Sequence, residues 1–373
     1  MRIIQIVPEA RPGTGVEAVA YHLAEEWRKL GHDVTNFTLE DAHGGWLPAP
    51  GGGVVGKLAQ AARVVWFSTA GTGVARRRFR VLANDRVVIC HNDALCGDVY
   101  VNHGNVAAAM RARGHPWLRM IRNPLHLFTV TRDTLRYGCG VHRYVVNLTQ
   151  AEVTGLRRTY PLIRGSVAVI GNGVDTTRFQ PDAEDRARVR TDLGLGEDDV
   201  LALFVGHEFD RKGLPLVLGA MSGLPTCLRL LVVGGTPDQI DVAERQAAAC
   251  GVLPRVVFLG AQPDPRPWFH ASDFLVFPSA YESYGLVIVE ALAMGLPVVA
   301  TPVGCVPEVI TDGNGCIVSH SVAAVRDGMR RLLVADRRAM GVAARQTAES
   351  HAWTAVAGEY LNLFERVLAE RVP

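Results

Sequence analysis

Phe277-Pro278-Ser279-Ala280-Tyr281-Glu282-Ser283-Tyr284-Gly285-Leu286-Val287-Ile288-Val289-Glu290-Ala291-Leu292-Ala293-Met294-Gly295-Leu296-Pro297-Val298-Val299-Ala300-Thr301 reads as the end of a strand, a polar loop, an apolar helix and a second strand. Such a β-loop-α-β unit belongs to a parallel sheet. Upstream and downstream the same alternation recurs, and it does so twice. In the first half, strands are expected at Ile3–Val7, Val34–Leu39, Val87–Cys90, Val99–Asn102, Tyr144–Asn147 and Val167–Ile170, with a helix over Val16–Leu30 stopped by Gly31 and another capped by Thr149. In the second half, strands are expected at Val200–Val205, Leu228–Val233, Val256–Leu259, Phe274–Phe277 and Pro297–Ala300. The fold class is therefore α/β, as two doubly wound domains. Two glycines in Gly171-Asn172-Gly173-Val174-Asp175 mark the break, and Pro48–Gly53 is a surface loop inside the first domain.

The chain has 373 residues, 48% of them hydrophobic and 20% charged, enough to bury a sizeable core and too apolar for a disordered chain. It has no apolar run of bilayer-spanning length, and its start is too short and too soon broken by Pro8 to read as a signal peptide. The seven cysteines are scattered, without Cys-x-x-Cys pairs or histidines at finger spacing. They suggest neither a disulfide framework nor zinc, and a reducing cytoplasm is the expected compartment. The net charge of +2 hides an asymmetry. Residues 1–177 carry 21 Lys+Arg against 13 Asp+Glu, and residues 178–373 carry 18 against 24, so the halves are +8 and −6. Arg76, Arg77, Arg78 and Arg80, then Arg111, Arg113, Arg119 and Arg122 around Trp117–Ile121, supply much of the basic excess. They read either as a face for an anionic membrane or ligand, or as a solvated helix surface. No nucleic-acid motif accompanies them.

Within the opening stretch, the free backbone N–H groups of a helix beginning at Gly285 and Leu286 suit a phosphate. Glu290 sits inside the otherwise apolar helix, so its carboxylate needs a partner. Two vicinal hydroxyls would serve, as would a buried arginine or a backbone amide.

Glu282 and Glu290, Gly285, Gly295-Leu296-Pro297-Val298-Val299-Ala300-Thr301, Gly304, Glu308 and Asp312-Gly313-Asn314-Gly315 resemble the donor-site signature of the retaining glycosyltransferases of family 4. Gly206 with Arg211-Lys212-Gly213, Asn172-Gly173-Val174-Asp175 with Phe179 and Pro181, Pro12-Gly13-Thr14-Gly15-Val16-Glu17, and a last helix near Trp353-Thr354 add to the resemblance in chain order. Two departures stand out: Thr14-Gly15 replaces an adjacent glycine pair, and Gly304-Cys305 another. The resemblance implies the GT-B fold, with two Rossmann-like domains facing a cleft. Residues 1–175, with a returning helix at about 353–373, would bind the acceptor, and residues 176–352 the nucleotide sugar. It further implies a UDP- or GDP-type donor, no metal or other cofactor, and Glu290 on the ribose hydroxyls. Gly13, Gly15, Gly206, Gly285 and Leu286 would lie along the donor. Arg211 and Lys212 would face the departing diphosphate, whose charge grows in the transition state, with Glu282 beside them. His103, just after a strand, corresponds to a histidine that touches the donor sugar, and His91 is its rival. The expected activity is transfer of a hexose to a hydroxyl of a glycan, lipid-linked or small-molecule acceptor in glycoconjugate biosynthesis, at the cytoplasmic membrane face or free of it. A sugar-nucleotide epimerase of the same architecture and a non-catalytic sugar-binding protein are the alternatives.

Overall fold

A computed structural model describes residues 1–13, 15–79, 86–107, 110 and 123–371. Contacts divide it into two compact units, Met1–Asn172 with Trp353–Pro373, and Gly173–Ala352. Each is built on a six-stranded parallel sheet.

The first sheet contains β1 (Arg2–Ile6), β2 (Asp33–Phe37), β3 (Arg86–His91), β4 (Val99–Asn102), β5 (Tyr144–Asn147) and β6 (Ser166–Val169), in the order β2-β1-β3-β4-β5-β6. Its inner strands read as unbroken apolar runs because both faces are covered. The helices α1 (Val16–Lys29), α2 (Gly53–Trp66) and α3 (Thr72–Arg78) follow β1 and β2, with a π turn at Phe67–Gly71 between the last two. The final helix, Trp353–Ala369, belongs to this unit by its core. Trp27 of α1 is fully buried against its Tyr360 and Phe364, and the indole N–H donates to the Ala357 carbonyl at 3.1 Å. An indole buried with its N–H satisfied fixes a helix pair without leaving a polar orphan.

The second sheet contains β7 (Val200–Val205), β8 (Leu228–Val233), β9 (Val256–Gly260), β10 (Phe274–Phe277), β11 (Val298–Ala300) and β12 (Gly315–Ile317), in the order β12-β11-β10-β7-β8-β9. Strand ends differ from the sequence expectation by a residue or two, and β12 was not expected: three residues are too few to show a period. The core beneath the sheet is aliphatic and phenylalanine-rich, including Phe204, Leu230, Phe274 and Val276, all without exposed surface.

In both sheets the strand order reverses once, between β1 and β3 in the first and between β7 and β10 in the second. Loops leaving the carboxyl ends of the two strands at such a point diverge and leave a crevice, where open α/β sheets bind ligands.

Candidate functional site

In the second unit, β7 and β10 lie side by side, with Leu203 opposite Leu275. The loops after them therefore start side by side and flank one crevice. After β7, Gly206 leads into a four-residue helix, Phe209–Lys212, closed by Gly213. Arg211 and Lys212 close this short helix and stand immediately before the Leu214–Met221 helix, whose N-cap is Gly213. After β10, the loop Pro278–Tyr284 carries Glu282.

One carboxylate oxygen of Glu282, Oε1, gathers the loops. It accepts hydrogen bonds from Arg211 Nη1 at 3.0 Å, Lys212 Nζ at 3.0 Å and Ser279 Oγ at 3.1 Å. Arg211 Nη1 also donates to the Tyr281 carbonyl, and Nε to Glu208 at 2.6 Å. The three side chains are only 12–21% exposed, so Arg211 and Lys212 are not a freely solvated pair. Burial works against the charge on Arg211, but Glu282 and Glu208 outweigh it and raise its pKa. Lys212 Nζ lies 4.6 Å from the Phe277 ring centroid, a further contact that favours the cation. Gly206 has a packing reason: a Cβ there would stand 2.1 Å from Lys212 Cδ, so any side chain would push the ammonium off Glu282.

Gly285 follows with φ of 92°, a left-handed conformation that suits glycine, and caps the Leu286–Ala293 helix without a side-chain hydrogen bond. Leu286 is thus the first residue of an uncapped helix. Glu290 is half-buried. Among the described residues no donor hydrogen-bonds its carboxylate. Desolvation raises its pKa to about 7, with Arg178 and Lys212 pulling the other way.

In the first unit, His91 and His103 are partners rather than rivals. Val99 to Val101 of β4 pair with the end of β3, His91 opposite Val101, and the His91 and His103 rings lie 5.3 Å apart. Gln5 Nε2 donates to the Ala20 carbonyl at 2.9 Å, which leaves Gln5 Oε1 as acceptor. His91 Nε2–H donates to Oε1 at 2.9 Å, and His91 Nδ1 then accepts from His103 Nε2–H at 3.0 Å. The chain of donors fixes both tautomers and leaves His103 Nδ1 unprotonated and, among the described residues, without a hydrogen-bond partner. Burial holds both rings neutral: it pushes His103 down to about 3, and His91 well below the usual histidine range.

At the β1/β3 reversal of this sheet is a cavity of about 580 Å³. Its wall includes Glu9, Arg11, Gly15, Glu17, Arg63 and His91. Gly15 takes φ of 80° at the start of α1, and Gly13, two residues earlier, φ of 142°. Arg11 is shared by Glu9 at 3.3 Å and Glu17 at 2.8 Å. Asp93, also on the wall, is held by Arg132 at 2.8 Å. Arg63 has no ion-pair partner among the described residues. Asn92, between His91 and Asp93, has φ of 64°, unusual for a residue with a side chain. The sequence reading missed Gln5, Ser279, Arg63 and Asn92. Only Asn92 carried a local signal, as an asparagine at a strand end. Arg111, Arg113, Arg119 and Arg122 lie outside the described residues, as do Arg80 and Thr14.

Residues 199–335 match the family described as glycosyl transferases group 1. The chain is 35% identical over 240 residues to a D-inositol 3-phosphate glycosyltransferase of Xylanimonas cellulosilytica, a match covering 61% of this chain and 58% of that protein. The chain thus spans less than two thirds of the length of this relative. The architecture is similar to that of WaaG, a glycosyltransferase involved in lipopolysaccharide biosynthesis, at 20% identity and a TM-score of 0.73 over 97% of this chain and 99% of that one. It is similar also to Anabaena HepE, solved with UDP and glucose, at 21% identity and 0.68 over 97% and 99%. These likenesses give the fold, GT-B. Residues 199–335, within the second unit, match the group 1 glycosyltransferase family.

Proposed function

We propose that the chain is a retaining, metal-independent glycosyltransferase that moves a hexose from a UDP- or GDP-type sugar to a hydroxyl acceptor. The observation that carries the reading is the convergence of Arg211 and Lys212 on one oxygen of Glu282 at the ends of β7 and β10. Glu282 holds two cations in place before any ligand arrives. A diphosphate entering there meets charges already oriented, the condition under which electrostatic stabilisation is most effective. The uncapped Gly285–Leu286 helix start offers N–H groups to the same phosphates, and Glu290 accepts from the ribose hydroxyls.

In the reaction, the bond from the anomeric carbon to the diphosphate oxygen breaks as the acceptor oxygen bonds to that carbon from the same face. The acceptor's proton passes to the leaving phosphate oxygen, so atoms and charge balance without a protein base. Arg211 and Lys212 take up the charge that develops on the diphosphate. His103 accepts a hydrogen bond from a sugar hydroxyl at Nδ1. Gly13 and Gly15 let the loop after β1 approach the phosphates, and the cavity beside them takes the acceptor. The reading includes a peripheral contact with an anionic membrane, which would bring a lipid-linked acceptor within reach.

The relatives named as glycosyltransferases and the neighbour solved with UDP and glucose support this reading. Its test is a panel of UDP, GDP and ADP sugars with excess chelator present, scored for release of the nucleoside diphosphate and for the configuration of the sugar product. Transfer or hydrolysis with retention is the expected result. An isomerised, still nucleotide-linked sugar would point to the epimerase, and binding without turnover to a sugar-binding protein.

A further inference from the structure

Helix α2 is inside out. Its buried positions are Gly56 and Ala59, while Val54, Val55 and Leu58 are 74%, 78% and 65% exposed. A helix that packs on a domain turns its bulky apolar residues inward. Here exposed positions run on at helical spacing through Ala62, Val65, Thr69 and Gly73, across the π turn and into α3, with Lys57 and Gln60 exposed beside them. Trp46, 69% exposed, packs edge-on against Trp66 at the far end of α2, with ring centroids 5.4 Å apart. The apolar stripe is thus continuous with an exposed indole. Single exposed aliphatics are ordinary, but a run of them along one helix face marks an interaction surface.

The charge on this segment is one-sided. Residues 42–84 contain no Asp or Glu and six cations: Lys57, Arg63, Arg76, Arg77, Arg78 and Arg80. Arg78 is taken up by Asp41 at 2.9 Å. Lys57 and Arg77 have no ion-pair partner among the described residues. Against a second copy of the same face, these cations would meet one another, because a two-fold interface places a patch on itself.

We propose that the exposed face of α2, with Trp46, docks on an anionic lipid surface. Val54, Val55 and Leu58 enter the boundary between headgroups and acyl chains, Trp46 sits at headgroup level, and Lys57 and Arg77 meet anionic headgroups. The proposal deepens the membrane contact of the proposed function and gives it residues. It does not depend on the donor chemistry.

The test is co-sedimentation of the full chain with phosphatidylcholine vesicles, with and without phosphatidylglycerol, at low and high salt. The variants are Val54→Gln/Leu58→Gln and Lys57→Gln/Arg77→Gln, all at exposed positions, with UDP affinity by calorimetry as the parallel readout. The parent is expected to pellet with anionic vesicles only. The apolar double variant should lose about tenfold in partitioning. The charge variant should lose a similar amount at low salt and little at high salt. Failure of the parent to pellet, or pelleting of the apolar variant like the parent, overturns the proposal. So does light scattering that shows a dimer lost in the apolar variant without vesicle binding. If UDP affinity is intact while vesicle binding is absent, the lipid surface fails alone. If UDP binding is absent while vesicle binding follows the pattern above, the donor reading fails alone.

Discussion

The two sheets differ in what lines up at the reversal of their strand order. At the β7/β10 reversal, two cations and a carboxylate share one oxygen atom, with Glu290 close enough to feel Lys212. At the β1/β3 reversal, the groups in line are a glutamine and two histidines that burial keeps uncharged. Two cations held on one carboxylate thus mark the second unit, and a row of fixed hydrogen-bond direction marks the first, beside the ion pairs of Arg11 and Asp93 on the cavity wall. The former suits phosphate and the latter suits sugar hydroxyls, which need donors and acceptors placed rather than charge supplied.

The comparison breaks most sharply at the charged end. Lys212→Ala and Arg211→Ala should each lower turnover of a nucleotide sugar by about 100-fold or more, because each removes a preorganised cation from the developing diphosphate. Steady-state rates within threefold of the parent would put the charges elsewhere. Glu290→Gln should weaken nucleotide binding by roughly 1.5–3 kcal/mol, the worth of a charge-assisted hydrogen bond. Because burial lifts this carboxyl to about 7, UDP affinity in the parent should rise as pH is raised through that value. The ionised form is the one that accepts from hydroxyls, and calorimetry across the range should find the dependence flattened in the variant.

The neutral end sharpens the contrast through stability. His91 and His103 bind protons less readily folded than unfolded, so below the ordinary histidine pKa of about 6.5 the unfolded chain takes up protons that the folded one refuses. Stability from these rings is therefore present above that pH and is lost as pH falls toward about 3. Buried His142 shifts in the same direction. His103→Gln should reduce the loss between neutral pH and about pH 5 by on the order of 1–2 kcal/mol in urea melts. An equal loss in parent and variant would remove the neutral pair from the account. The smallest effect belongs to Glu208, the more exposed partner of Arg211. Glu208→Gln should change turnover by about threefold or less, since Glu282 still holds the guanidinium.

Much of this was legible in the sequence, for a physical reason. Strands buried on both faces print as apolar runs, and helix starts and stops print as glycines, so the opening stretch fixed the β-α-β unit and placed Glu282 and Gly285 on its loop. The links between distant segments were not legible. Arg211 and Lys212 reach Glu282 only because β7 and β10 are neighbours, a fact of strand order that no local pattern carries. His91 and His103 likewise meet through the register of β3 and β4, which is why they read as rivals. Helix α2 escaped notice because its exposed face is apolar, the reverse of the pattern by which surface helices are recognised. Arg132 and Arg136, which would pass for a solvated face, are buried around Asp93 and Asp133.

The central claim, that the β7/β10 crevice holds a nucleoside diphosphate sugar and releases it with retention, is tested most directly by proton NMR of the full chain mixed with UDP-glucose and, separately, GDP-mannose. Water serves as the slow acceptor in the absence of any other. The account predicts that one of the two is consumed with chelator present, that the first sugar to appear is the α-anomer before mutarotation, and that Lys212→Ala abolishes the signal. The β-anomer appearing first, or both donors remaining intact while the parent protein binds neither nucleotide, would contradict it.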